Sequence, residues 1–167
     1  MAPLYEVDMI YFPKKNNKAL HIATILLATG VISFLISTHF PYVPYLFQLA
    51  AIVLLTFGIQ ILQRYHLSDF KYVIDDRDDG SSYFNVIKIQ GKKEVMVCSI
   101  ALDRCVFFGD PKEYNNKTVN SFDYKQNVFI KDKYVIIYND ISGLVTVKIE
   151  ADEAFSAEIG KRIPKTK

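Results

Sequence analysis

Two cysteines, three histidines and four closely spaced aspartates are the residues of this chain whose types could do chemistry. Cys98 and Cys105 enclose the stretch CSIALDRC, but a zinc site needs further Cys or His ligands. The histidines lie at positions 21, 39 and 66, two of them inside an apolar run. Reduced, buried strand thiols are therefore expected, since a free cysteine behaves as a small hydrophobe. The stretch DDRDDGSS (75 to 82) gathers Asp75, Asp76, Asp78 and Asp79 around Arg77 and offers oxygen ligands of the kind calcium takes. Its spacing fails the EF-hand pattern: with Asp75 first, Arg77 falls on the third-position acid and Val86 on the twelfth-position glutamate. A solvated hairpin loop is the expectation, with no metal. Asp152 and Glu153 are accounted for by the positive end of a helix. The chain holds no Gly-rich phosphate loop and no nucleophile elbow. It is read as a non-enzyme with no catalytic residues and no cofactor.

These residues must be positioned by two regions of different character. From Ala19 to Gln63 there is no Asp, Glu, Lys or Arg. As one helix this run would be about 67 Å long, more than twice a bilayer's hydrocarbon thickness. Proline bars its predecessor from helical geometry, so Pro41 and Pro44 in HFPYVPY divide it into spans 19–39 and 45–63 of about 31 and 28 Å. Each matches one crossing. Lys14, Lys15 and Lys18 precede the first span, Arg64 and Lys71 follow the second, and the turn has no basic residue, which predicts a plasma-membrane hairpin with both termini cytoplasmic. A cytoplasmic location argues against a disulfide. Small and polar residues inside the spans include Ala23, Thr24, Ala28, Gly30, Ser33, Ser37, Gln48, Thr56, Gly58 and Gln60; the small ones permit close helix approach, and Gln48 or Gln60 suits an interhelical hydrogen bond.

From Ser68 onward basic and acidic residues cancel, so the formal charge of +2 comes from the first part of the chain. Nucleic-acid binding would need a basic excess there and is not expected. Seven strands are predicted, at 70–76, 83–90, 93–99, 102–108, 119–125, 133–139 and 144–150, all antiparallel, with Gly91-Lys92 as a tight turn. Val145, Val147 and Ile149 alternate inward. A helix over 151–163 lines up Phe155, Ile159 and Ile163 on one stripe as a cap for the strands.

Seven antiparallel strands closed by a C-terminal helix, in FKYVIDD, YFNVIKIQGKKEVMVCSIALDRCVFFG and YVIIYNDISGLVTVKIEADEAFSAEIGKRI behind a two-span hairpin, resemble the bacterial pleckstrin-homology (PH)-like membrane proteins. The resemblance implies an α+β membrane protein: a cytoplasmic N-terminal segment (1–18), a transmembrane hairpin (19–63) and a PH-like seven-stranded barrel (68–167). It also implies a membrane-tethered binding or assembly module. The inositol-phosphate site of well-known PH domains is not carried over, because the loop joining the first two strands is acidic here. The expected function is a non-enzymatic module in the bilayer that acts through a protein partner or a second copy of itself. The alternatives are an accessory subunit of a transporter or secretion complex held through the hairpin, and recognition of anionic lipid by Lys14, Lys15, Lys18, Arg64 and Lys71.

The N-terminal stretch LYEVDMIYF (4 to 12) alternates with a period of two and carries strand-favouring side chains. Two readings stand: a strand added to a free sheet edge of the same or a neighbouring barrel, or a segment whose Tyr and Phe rest among lipid headgroups.

Overall fold

The computed structural model describes residues 6–39, 44–115, 117–128, 130 and 134–164. The chain divides into two compact units, Lys15–Asp69 and, discontinuous in sequence, Met1–Lys14 with Phe70–Lys167.

The first unit is a pair of helices, each long and apolar enough to cross a membrane. Helix α1 runs Lys18–His39 and α2 runs Pro44–Ile61, continued by a π-helical turn at Leu62–His66. Pro44 occupies the first turn of α2, where its missing amide hydrogen costs nothing. Pro41 lies outside the described residues. The buried residues of α1 are Ala19, Ala23, Gly30, Ser33 and Ser37, and those of α2 are Ala51 and Gly58. Small side chains let the helix backbones approach. A Cβ on Gly30 would meet Leu55 Cγ at 2.9 Å, and one on Gly58 would meet Leu27 Cγ at 2.9 Å. Ser33 Oγ donates to the Phe47 carbonyl across the pair at 3.0 Å. At the open end Lys15 Nζ donates to the His66 carbonyl and pairs with Asp69 at 2.6 Å.

Among the described residues the second unit contains eight strands, seven in the regions predicted for the β domain and one from the N-terminal segment. They are β1 (Glu6–Tyr11), β2 (Asp69–Asp76), β3 (Ser82–Gln90), β4 (Lys93–Ala101), β5 (Cys105–Gly109), β6 (Asn120–Asp123), β7 (Tyr134–Asp140) and β8 (Gly143–Ile149), followed by helix α3 (Glu153–Arg162). They form two four-stranded sheets, ordered β1-β2-β3-β4 and β5-β7-β8-β6, each with open edges. The additional strand is β1, antiparallel to β2 with Ile10 opposite Val73 and Tyr11 opposite Tyr72, so the N-terminal segment joins a sheet edge of its own chain. Leu4 lies outside the described residues. Two further expectations are corrected. The strand predicted from residue 102 begins at Cys105, because Leu102–Arg104 form a 3-10 turn with Leu102 buried. And β6 runs parallel to β8, with Asn120 opposite Val145 and Asp123 opposite Lys148, because the long connection from Asp123 to Tyr134 lets β7 enter between β5 and β8.

The core lies where inward residues meet: Tyr72 and Ile74 of β2, Phe84 and Val86 of β3, Val147 and Ile149 of β8. Val145, Val147 and Ile149 are all buried, as their alternation requires. Asp152 caps α3 by accepting from Phe155 N at 2.8 Å, which sends Phe155 and Ile159 into the core, while Ile163 packs at its margin. Phe155 stacks on Tyr11 of β1, ring centroids 5.1 Å apart.

Candidate functional site

The acidic stretch separates into parts with different roles. Asp75 and Asp76 belong to β2 and are not loop residues. Asp75 is 8% exposed. Asp76 receives Arg162 of α3 through Nε and Nη2, at 3.0 and 2.9 Å to Oδ2, a forked ion pair that fastens the end of the helix to the sheet. Asp78 and Asp79 remain exposed in the turn. Asp79 accepts from Ser81 N and Ser81 Oγ, and these hydrogen bonds, with Arg77 nearby, lower its carboxyl pKa. Arg77 lies over the Tyr83 ring at 3.7 Å. The four carboxylates therefore do not converge. Among the described residues no three His, Cys, Asp or Glu side chains gather as a metal would need.

Both cysteines are free, Cys105 buried and Cys98 half-buried. Burial pushes the Cys98 thiol up to about 11 and the Cys105 thiol up to about 12, so each stays protonated and unreactive at neutral pH. The basic residues are also unequal. Lys15 is held by Asp69, Lys71 pairs with Glu94 at 3.2 Å, and Arg64 lies over the Tyr65 ring at 5.1 Å. The Lys14 carbonyl accepts from Asn127 Nδ2 at 2.5 Å, and Lys18 opens α1 with its amide bonded to Asn16.

Two buried residues that sequence reasoning passed over join distant parts of the second unit. Gln126 accepts from Phe70 N at 2.8 Å, and Asn127 bonds both oxygens of Glu150 as well as Lys14 O. In sequence they look like ordinary polar loop residues; no local signal separates them from the neighbouring Lys125.

The β3–β4 hairpin combines an open strand edge with exposed apolar side chains. Gly91 sits at φ +60° and turns the chain tightly between Gln90 and Lys93. Beyond a bulge between Val86 and Ile87 the hairpin leaves the core, and β4 is exposed from Lys93 to Met96. Val95 and Met96 are each 57% exposed. They project from opposite faces, as alternation requires, and β4 is the edge strand of its sheet. No family model matches this chain, and neither a curated protein nor a solved structure does.

Proposed function

We propose that this chain is a membrane-anchored, non-enzymatic PH-like module that acts through protein contacts of its cytoplasmic β domain. The open β4 edge with exposed Val95 and Met96 is the observation that carries the reading. A free strand edge beside apolar side chains is a template for another chain. Membrane anchoring is supported by the helix pair, whose large apolar residues Phe34, Leu49, Ile52 and Phe57 are exposed while its buried residues are small. A buried hairpin in a water-soluble protein would have the opposite pattern. That β1 and β2, one before and one after the helix pair, are hydrogen-bonded neighbours supports a return of the chain to the side it left. Lys14, Lys15, Lys18, Arg64 and Lys71 favour that side being cytoplasmic. Strands followed by a capping C-terminal helix support the PH-like kinship.

The rival accessory-subunit reading loses part of its motive, since Gly30 and Gly58 are occupied by Leu55 and Leu27 of the same hairpin. Gln48 and Gln60 remain on its exposed surface. Anionic-lipid recognition loses Lys15 and Lys71 to ion pairs. Photocrosslinking residues placed singly at Val95, Gln48 and Gln60 of the full-length protein in intact cells separate the readings. Capture of a discrete protein from Val95 is expected; capture from Gln48 or Gln60 alone transfers the function to the hairpin.

A further inference from the structure

The β3–β4 hairpin also differs from the rest of the surface in charge. In its register Lys88 faces Val95 and Gln90 faces Lys93, while Ile87 faces Met96 and Ile89 faces Glu94. One face is thus basic around Val95, with Lys92 at the turn, and the other is apolar around Met96. Glu94, the carboxylate of this stretch, is engaged by Lys71 at 3.2 Å. Lys88, Lys92 and Lys93 carry no ion pair among the described residues. Among the described residues the backbone of Lys93–Met96 has a strand against it on the β3 side alone. Farther along, Tyr124 Oη closes the edge by donating to the Val97 carbonyl at 3.3 Å.

We propose that the Lys93–Met96 edge takes an acidic, extended segment of a protein partner, which adds as a fifth strand, answers Lys88, Lys92 and Lys93 with carboxylates on one face and covers Met96 with apolar side chains on the other. The inference rests on the reading of the β domain as a protein-contact module and names the chemistry of its ligand. Three features converge on this occupant. The open ladder needs backbone donors and acceptors, which an anionic membrane surface does not provide, although its phosphates would suit the lysines. Val95 and Met96 lie on opposite faces, so a strand that alternates acidic and apolar residues sets carboxylates beside the lysines and apolar side chains beside exposed Met96. A second copy of this edge presents the same three ammonium groups and so repels where complementarity is required.

The test uses the full-length protein in nanodiscs of zwitterionic lipid. The probes are an alternating Glu-Val peptide, a Lys-Val peptide of equal length, and vesicles rich in phosphatidylserine. Binding of the Glu-Val peptide is expected to weaken with added salt. It should slow amide exchange across Lys93–Met96 by about tenfold or more. Reversal of Lys88, Lys92 and Lys93 to Glu should weaken that peptide by about tenfold or more and turn the preference to Lys-Val. A milder variant with the same lysines changed to Gln, with melting unchanged, guards against misfolding and should lose the Glu-Val peptide without gaining the other. The proposal is overturned if the Glu-Val peptide does not bind the folded protein, if it binds without slowing β4 exchange, or if the vesicles bind through these lysines instead. If Val95 still captures a protein in cells under any of those outcomes, the module reading survives and the acidic-strand chemistry fails.

Discussion

The helix pair and the β domain bury opposite kinds of residue. Between α1 and α2 the buried positions are alanine, glycine and serine, with Phe34, Leu49 and Phe57 facing outward. In the β domain the most deeply buried side chains are Tyr72, Phe84, Phe155 and Ile74. Burial of large apolar groups is driven by water, at about 25 cal/mol per Å² removed from it, so the β domain is built for water. Where the surroundings are themselves apolar that force vanishes, and close packing of small residues decides which faces meet. The inversion supports the proposed membrane anchoring without reference to any relative.

The most severe way to disturb the contrast is to remove residues 2–12. Their loss takes β1 from the edge of β2 and Tyr11 from the Phe155 ring, so the β domain should lose cooperative melting or aggregate while the helix pair keeps its helical circular dichroism. Unchanged melting, solubility and oligomer size would mean β1 contributes nothing to the sheet. Next in size is Phe155→Ala, expected to cost about 3–5 kcal/mol because the ring is fully buried, read by denaturant or thermal unfolding. The converse exchange belongs to the hairpin. There Gly58→Leu should destabilise helix packing by about 1–3 kcal/mol in micelles, since Leu27 already occupies the space. Ile52→Ala on the exposed face should change it by less than about 0.5 kcal/mol. Equal effects of the two would erase the contrast.

The smallest effect concerns the thiols and appears in alkali alone. Their folded pKa values, about 11 and about 12, lie above the ordinary value of 9.0. The unfolded chain therefore loses its thiol protons first, and the stability contributed below pH 9 declines as pH rises toward 11 and 12. Between pH 8 and 10 the decline should be about 1 kcal/mol per thiol and should disappear in a Cys98→Ala, Cys105→Ala protein compared with itself across pH. Buried Tyr72, whose phenol is also raised, adds loss of the same sign at higher pH. A flat profile to pH 10 would place both thiols in contact with water.

Much of this architecture was legible because it is written in local pattern. An uncharged run interrupted by two prolines, strands alternating with a period of two and an apolar stripe on the last helix each depend on residues close in sequence. The N-terminal strand was legible as alternation, yet its place at the edge of β2 was not, since the whole helix pair separates the two strands. The same holds for the acidic stretch: sequence shows four aspartates together, and only packing assigns Asp76 to Arg162, buries Asp75 and leaves Asp78 and Asp79 in water. Nor could charge counting separate Lys71, paired with Glu94, from exposed Lys92 and Lys93. Gln126 and Asn127 are the extreme case, two polar residues made structural by partners far along the chain. Sequence by itself determined most of the element types and the length and apolar character of the two helices, because those follow from periodicity and hydrophobicity. The parallel entry of β6, the open β4 edge and the pairing of each charge were decided by tertiary structure, because hydrogen-bond and ion-pair partners are chosen by proximity in space.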